Sequence, residues 1–332
     1  MTPDLAPLFA LVRCHSTPGD ETEVRDWLAA DWRRAGWTVT AHDQYALTAV
    51  SPGHTTGLPT VLITAHLDSP GYTVEQVKDG RLTCVKLGSP QFAGAETPAV
   101  LKTGSRKVDV ILRQEKVDDD HDDGRAVFTA DYRGRVRHGD RLCFRAEPRV
   151  VCGRQVLAPF LDNRIGCFLL SRLAHDPRLR RRLPVNLVLG ATGSEEMGGF
   201  GAAVMARAVA PDLAICLDAT YVAEEQNVLL GRGPVLTLSD ASVLLSAARR
   251  DAVRGWFRCR RLPLQTEVYN YSGTDARAFP HQGLPCPVLA LLVATKGNHS
   301  PVEQAAIADI EALFRALRLA VADPEFLPGL RG

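Results

Sequence analysis

Four apolar runs, each long enough for one strand, constrain the fold of this chain more than any other feature. They are Thr60–Ala65, Asn186–Ala191, Leu213–Leu217 and Val288–Val293. Strands that are apolar throughout are buried on both faces of a sheet, and strands that alternate with helices form mostly parallel sheets. We therefore predict an α/β fold with a mostly parallel sheet flanked by helices.

Three amphipathic segments predict the helices. Asp20 and Glu23 have the spacing of a capping box at the start of the first one. The second starts near Asp162, and the third lies at the end of the chain. Their apolar faces are Val24, Trp27, Leu28 and Trp32, then Ile165, Phe168, Leu169 and Leu173, and finally Ile307, Ile310, Leu313, Phe314 and Leu317.

The pattern changes between Gly71 and about Val156. Short alternating runs such as Thr73–Val77 are separated by Gly and Asp turns, and no clear helix occurs. This texture predicts a small β barrel or sandwich. We expect one α/β domain from residues 1–70 and 157–332, with an inserted β domain at 71–156. The acidic stretch Asp118 to Asp123, which contains His121, lacks the spacing of a calcium loop and predicts a solvated loop.

Composition excludes several classes of protein. The net charge of +1 gives no electrostatic reason to bind nucleic acid or an anionic membrane. No apolar stretch has the length of a membrane span. The segment from Met1 to Ala10 lacks the positive charge of a signal peptide. None of the 8 cysteines forms a CxxC pair, and several lie beside apolar runs, which favours reduced thiols and a cytoplasmic location.

Carboxylates or imidazoles follow each of the four apolar runs. Sites in open parallel sheets form beyond the carboxyl ends of the strands, so these side chains should meet at one edge. Each motif is weak alone, because a lone HxD or a Glu pair is usually a surface feature, but together they predict a metal site. The residues are His66, Asp68, Glu195, Glu196, Asp218 and His299, joined by Asp162 at the start of the second helix.

The residue types indicate which metal. Two His, two Asp and one or two Glu suit zinc, cobalt or manganese. Five ligands exceed the three that an open catalytic zinc needs, so a pair of ions roughly 3.5–4 Å apart is favoured. No G-x-S-x-G elbow and no P-loop occurs. Gly199 and Gly201 resemble a dinucleotide fingerprint, but Val204 occupies the third glycine position, so a tight turn is the better interpretation.

In this order, the motifs resemble those of the M42 metallo-aminopeptidases, which include glutamyl and tetrahedral aminopeptidases. The related M20 and M28 exopeptidases share the HxD and the Glu pair, but their bridging Asp follows the HxD much sooner. The motifs are His66-Leu67-Asp68-Ser69-Pro70-Gly71, Leu161-Asp162-Asn163-Arg164-Ile165-Gly166, Glu195-Glu196-Met197-Gly198, Asp218-Ala219-Thr220, Ser272-Gly273-Thr274-Asp275-Ala276 and His299-Ser300-Pro301-Val302-Glu303.

The resemblance implies a zinc-exopeptidase-like fold and hydrolysis of the N-terminal residue from short peptides. It implies two divalent ions per chain, zinc or cobalt with manganese as a further candidate. Asp68 would orient His66, and Glu195 would be the general base. It also implies a homo-oligomer, from dimer up to dodecamer, with the insertion serving assembly and covering the site. The implied ligands are Asp162 as the bridge, His66 and Asp218 for one ion, and Glu196 and His299 for the other.

Two other functions stay open at this point. M20-like proteins are metal-dependent deacylases of N-acyl amino acids. A non-catalytic oligomeric scaffold is the other alternative, although its signature would be a lost ligand and all five are present. Glycoside hydrolysis is disfavoured, because it uses two carboxylates and no metal. The stretch Asp43-Gln44-Tyr45-Ala46 departs from the Gly-Asn of the family, and the chain is short for it, which concerns the assembly rather than the core.

Overall fold

The computed structural model describes residues 3–115 and 127–330. The stretch from Asp118 to Asp123, for which a solvated loop was predicted, lies outside the described residues. The described residues form a mixed 11-stranded sheet flanked by helices and a closed barrel of six antiparallel strands. This architecture confirms the predicted fold class. Among the described residues, none of the helices combines the length and apolar character that crossing a membrane requires.

The described residues contain 17 strands and eight helices, numbered separately in chain order. The strands are β1 Thr38–His42, β2 Ala46–Val50, β3 Thr60–His66, β4 Gly71–Lys78, β5 Arg81–Leu87, β6 Glu96–Thr103, β7 Arg106–Glu115, β8 Val127–Asp131, β9 Arg141–Phe144, β10 Arg149–Val151, β11 Gln155–Ala158, β12 Asn186–Thr192, β13 Leu213–Tyr221, β14 Val235–Asp240, β15 Gln265–Tyr269, β16 Val288–Lys296 and β17 Glu303–Ala306. The helices are α1 Ala6–Val12, α2 Thr22–Arg34, α3 Leu161–His175, α4 Phe200–Val209, α5 Ala247–Cys259, α6 Ala278–His281, α7 Ile307–Ala322 and α8 Phe326–Leu330, with 3-10 turns at Glu195–Met197, Glu224–Gln226 and Asp275–Arg277.

Parallel pairing occupies the centre of the main sheet and occurs again between β14 and β15. The order is β1-β2-β12-β3-β13-β16-β17-β11-β10, with β14 also paired to β16 and β15 to β14. The four predicted apolar runs are β3, β12, β13 and β16, which pair in parallel. The outer pairs β1–β2 and β10–β11 are antiparallel, because connections of a few residues allow a hairpin but no crossover. The carboxyl ends of the central strands therefore share one edge.

Helices cover both faces of this sheet. Ile63 of β3 packs into the same cluster as Phe168 of α3 and Leu313 of α7. Its neighbour Leu62 packs on the other face with Met205 of α4. Successive strand residues point to opposite faces, so burial on both sides explains why the run is apolar throughout.

The predicted capping box at the start of α2 is wrong. The helix begins at Thr22, and no side chain caps it. Asp20 instead accepts a hydrogen bond from Lys102 Nζ at 2.8 Å. Glu23 accepts one from the backbone of His15 at 3.0 Å and one from Lys107 Nζ at 2.7 Å. Both carboxylates thus form ion pairs with lysines of the barrel and do not cap the helix.

The barrel closes in the order β4-β5-β8-β7-β6-β9. Its core holds aromatic and aliphatic side chains, among them Tyr72 and Phe128. Phe160, just before α3, stacks on Phe144 with ring centroids 6.4 Å apart and joins this core to the main domain. At the end of the range expected for the insertion, β11 pairs with β17 in the main sheet, and β10 pairs with β11.

Candidate active site

The side chains predicted from the strand ends meet around one cavity. His66 ends β3, Asp218 lies in β13, and His299 follows β16. The turn after β12 carries the adjacent Glu pair, and Asp162 stands at the start of α3. The cavity has a volume of about 420 Å³ and is lined by six of these residues: His66, Asp162, Glu195, Glu196, Asp218 and His299. Asp68 is fully buried behind them.

Asp162 belongs to two groups of ligand atoms. Its Oδ1 lies 3.1 Å from His66 Nε2, which is also 3.2 Å from Asp218 Oδ1. Its Oδ2 lies 3.5 Å from His299 Nε2, which is also 3.3 Å from Glu196 Oε1. In each group, one atom per residue lies within 4.8 Å of the others. The two oxygens of one carboxylate therefore face two different sets of donors.

The second nitrogen of each imidazole faces a main-chain carbonyl oxygen. His66 Nδ1 lies 3.0 Å from the carbonyl of Asp68, and His299 Nδ1 lies 3.3 Å from that of Ser89. A proton on Nδ1 would satisfy both carbonyls and leave the Nε2 lone pairs directed at the carboxylates. With Nδ1 protonated, each Nε2 needs a positive charge between it and the carboxylates, which is a second proton in the free imidazole or a metal ion in a metal-bound one.

The carboxylate of Asp68 is closer to the Glu pair than to His66. It accepts hydrogen bonds from the backbone N–H groups of Glu195 and Glu196 at 3.0 and 3.1 Å. Its Oδ1 lies 3.6 Å from His66 Nδ1. Asp68 thus contacts His66 mainly through its main chain and holds the turn after β12 with its side chain.

The cluster holds more negative charge than its own cations balance. Burial raises the pKa of Glu196 to about 8 and that of Asp218 to about 7, against the attraction of the neighbouring imidazoles. Burial also raises the pKa of Glu195 well above its usual range. Burial opposes charge on His299, yet its hydrogen bond to Asp162 and the charge of Glu196 raise its pKa to about 10. Such a site fits cations from outside the chain.

Three further residues contact the site, and sequence reasoning did not assign them. Glu303, 1% exposed, accepts hydrogen bonds from the backbone of Asp162 at 2.9 Å and of His299 at 2.8 Å. Arg277 places Nη2 3.5 Å from Glu195 Oε1. Glu303 lies in a recognised motif and Arg277 lies beside one. The motifs indicated that the two residues are near the site, but not which groups they contact. Ser89 acts through its backbone, which leaves no sequence signal.

The cavity extends beyond the charged cluster. Its outer part is lined by the aromatic rings of Tyr221 and Tyr269, whose centroids lie 6.0 Å apart. Asp240 and Glu267 line it as well. Ser272, Gly273 and Thr274 line another part of it. There is therefore room beside the cluster for part of a bound molecule.

Comparisons with known proteins give the family of this chain. The family model described as M42 glutamyl aminopeptidase matches residues 46–315. The glutamyl aminopeptidase of Lactococcus lactis subsp. cremoris is 23% identical over 321 residues, which cover 88% of this chain and 89% of that protein.

Two solved structures share the fold. The TET aminopeptidase of a marine sediment archaeon of the Thaumarchaeota matches with a TM-score of 0.87 at 22% identity, over 98% of each chain. The TET1 peptidase of Pyrococcus horikoshii, described as assembling into a tetrahedron or a large octahedral shell, matches with a TM-score of 0.84 at 22% identity. That match covers 96% of this chain and 99% of the other. At this level of identity, the likeness shows the fold alone.

Proposed function

This chain belongs to the M42 glutamyl aminopeptidase family and is a peptidase, and from that premise we propose that it removes the N-terminal residue of short peptides with two divalent metal ions and Glu195 as general base. The observation that carries the proposal is the position of Asp162. Its two carboxylate oxygens face two separate donor groups, at 3.1 Å from His66 and 3.5 Å from His299.

The side chains of the cluster fit the expected ions. Imidazole nitrogens and carboxylate oxygens suit zinc or cobalt, and manganese is also compatible. Asp162 would bridge the two ions, with His66 and Asp218 on one and Glu196 and His299 on the other. Each group contains buried or half-buried donors within 4.8 Å of one another. The surplus of buried carboxylates supports cations in preference to water, because water would leave the negative charge uncompensated.

Glu195 is the residue we assign to proton transfer. When bound, two such cations lower the pKa of a water molecule and polarise a carbonyl oxygen. Glu195 lines the cavity, and Asp68 fixes its backbone together with that of Glu196. Adjacent residues in a tight turn can serve different partners, so Glu196 would hold a metal while Glu195 accepts the proton of the attacking water and passes it to the leaving amine.

Glu195 also lies within 4.8 Å of His66 and Glu196, which is a third arrangement of possible ligands. The choice between base and ligand can be tested directly. If Glu195 is the base, Glu195→Gln abolishes activity while both metals stay bound. If Glu195 is a ligand, the same variant also loses a metal.

We further propose that the barrel covers the site and takes part in assembly. The connection between β5 and β6 reaches the cluster, where Gln91 donates to the carbonyl of His299 at 2.8 Å and Gly88 approaches Glu196. A homo-oligomer, from dimer up to dodecamer, would limit access to short peptides. The TET1 peptidase of similar fold, described as assembling into a tetrahedron or a large octahedral shell, supports this proposal. Light scattering of the protein, and of a variant with residues 72–145 replaced by a Gly/Ser linker, tests this role. An unchanged oligomer in the variant contradicts it.

One substrate panel tests the proposed activity as a whole. Aminoacyl anilides should be cleaved and N-acetyl amino acids should not, and a chelator should abolish cleavage until zinc or cobalt is restored. Cleavage of the N-acetyl substrates alone would assign the chain to deacylases. No turnover of either class by protein with both metals bound would contradict an enzymatic role.

A further inference from the structure

The five proposed ligands differ in how their backbones are held. His66 and Asp218 lie within central strands, in register with Thr192 and Leu292, so the sheet fixes them. The other three lie outside the strands. Asp162 has non-helical backbone angles at the start of α3, and His299 has a φ of +65°. Such positions need support from elsewhere, because no ladder of hydrogen bonds fixes them.

Buried carboxylates supply that support at all three positions. The backbone N–H of Glu196 donates to Asp68 Oδ2 at 3.1 Å. The backbone N–H of Asp162 donates to Glu303 Oε2 at 2.9 Å, and that of His299 donates to Glu303 Oε1 at 2.8 Å. One side chain therefore fixes two ligands that are far apart in the sequence.

We propose that Glu303 is a positioning residue of the metal centre, which sets the separation of Asp162 and His299 and so the geometry of the Asp162–Glu196–His299 group. This inference rests on the two-metal function proposed above. Glu303 begins β17, where it pairs with Ala158 of β11, so its own backbone is held by the sheet. Hydrogen bonds to a carboxylate are among the stronger ones, and ligands held in place before binding lose less freedom when the ion arrives.

The chain contains a matched carboxylate without ligand partners. Asp309 in α7 is fully buried and accepts hydrogen bonds from the backbones of Gly231 and Gly233 at 2.7 and 2.6 Å. It has the same local role as Glu303, one carboxylate across two backbone N–H groups. Neither glycine can be a side-chain ligand. If Glu303 has only a structural function, equivalent substitutions of Glu303 and Asp309 should therefore have similar effects on metal binding.

The test is direct metal binding to the metal-free full-length protein. In Glu303→Gln, the amide keeps one acceptor oxygen, while its NH2 group faces an N–H that has lost its partner. We expect zinc to bind the second of its two equivalents 10- to 100-fold more weakly, the range typical of lost outer contacts of metal ligands. Asp309→Asn creates the same mismatch elsewhere and should bind both equivalents as the wild type does. Calorimetric titration measures the affinity, and thermal unfolding of the metal-free proteins compares the two structural costs.

The outcomes separate this inference from the proposed function. A wild-type protein that binds fewer than two equivalents contradicts the two-metal proposal itself. A wild type with two equivalents and a Glu303→Gln variant of equal affinity overturns only the positioning role, as does an equal loss of affinity in Asp309→Asn. If Glu303→Gln does not fold, Glu303→Asp keeps the charge on a shorter side chain and should weaken the second equivalent. Failure of both Glu303 variants to fold, with Asp309→Asn folded, overturns the positioning role in favour of a structural one.

Discussion

The main domain and the barrel treat buried charge in opposite ways. At the carboxyl edge of the main sheet, buried carboxylates and imidazoles lie side by side, as His66, Asp68 and Asp162 do. The described residues of the barrel, from β4 to β9, bury no charged side chain at all. Their buried polar groups are Thr97 and Thr129, together with the hydroxyl of Tyr72.

Burying a charge without a partner costs several kcal/mol, so a fold does not collect carboxylates without compensation. The barrel has an apolar core, whose main contribution is to the stability of the fold. At the edge of the main sheet, the function proposed above supplies the compensation as bound cations. Substitutions should therefore affect chemistry in one region and stability in the other.

The largest expected effect is in the charged region. Glu195→Gln preserves size but cannot accept a proton, so we expect kcat to fall by a factor on the order of 10²–10⁴. Two metal equivalents should remain bound, because Glu195 is not a ligand in this scheme. Kinetics on an aminoacyl anilide and elemental analysis measure both quantities. Glu224→Gln, an exposed position, is the control. Full activity, or loss of metal, would show that the roles of Glu195 and Glu196 are wrongly assigned.

The barrel core should show the reverse behaviour. Leu101 of β6 is fully buried, and Leu101→Ala should lower the free energy of unfolding by about 2–5 kcal/mol, with the metal content of the folded protein unchanged. Urea unfolding measures the loss. Ile111→Ala on β7 is the matched control, because that side chain is 40% exposed and should cost much less. Equal losses at the two positions would mean that the barrel interior is not the stabilising core described here.

The contact between the two regions should be sensitive to acid. His15 is 2% exposed, and burial, reinforced by the charge of Lys102, lowers its pKa to about 3. Its ring nitrogens have no hydrogen-bond partner among the described residues, and its nearest carboxylate oxygen, on Asp20, is 3.6 Å away. Well above pH 6.5 the residue is neutral in both states and contributes no pH dependence. As the pH falls from 6.5 towards 3, only the unfolded state takes up the proton, so stability decreases.

From pH 7 to pH 5 this single group should cost on the order of 2 kcal/mol. The free energy of unfolding is measured at pH 7 and at pH 5 for the wild type and for His15→Gln. The difference between the two pH values should shrink in His15→Gln, which has no ring to protonate. The same pH dependence in both proteins would assign the acid sensitivity to other groups.

The smallest effect concerns the barrel loop that touches the cluster. Gly88 has a φ of +68°, and a Cβ there would lie 3.2 Å from Glu196 Cβ. Gly94, in the same connection, has a φ of +75° and nothing within 4 Å. Both Gly→Ala variants should lose about 1 kcal/mol through backbone strain. Only Gly88→Ala should also weaken metal binding, measured by titration. Equal metal affinity in the two variants would show that this barrel loop does not affect metal binding.

The sequence anticipated much of this protein because its strongest signals are local. A run such as Thr60–Ala65 is apolar on both faces wherever it pairs, so it had to become a central strand. Parallel strands end at a common edge, so His66, Asp218 and His299 had to approach one another. The capping box at Asp20 and Glu23 was wrong for the opposite reason, since its competitors, Lys102 and Lys107, lie more than 75 residues away in the sequence.

Only the tertiary structure decided which contacts hold the cluster in place. Glu303 reaches two backbones, Ser89 offers a carbonyl, and Gly88 allows a close approach to Glu196. The strands β10 and β11 return to the main sheet through pairing with β17, and no periodicity of theirs specifies that partner. The sequence by itself determined which polar side chains gather and at which edge of the sheet they do so. Residue type marks a carboxylate such as Glu303 as a possible acceptor, but the backbone N–H groups that it supports are common to nearly all residues, so long-range packing decides which of them it reaches.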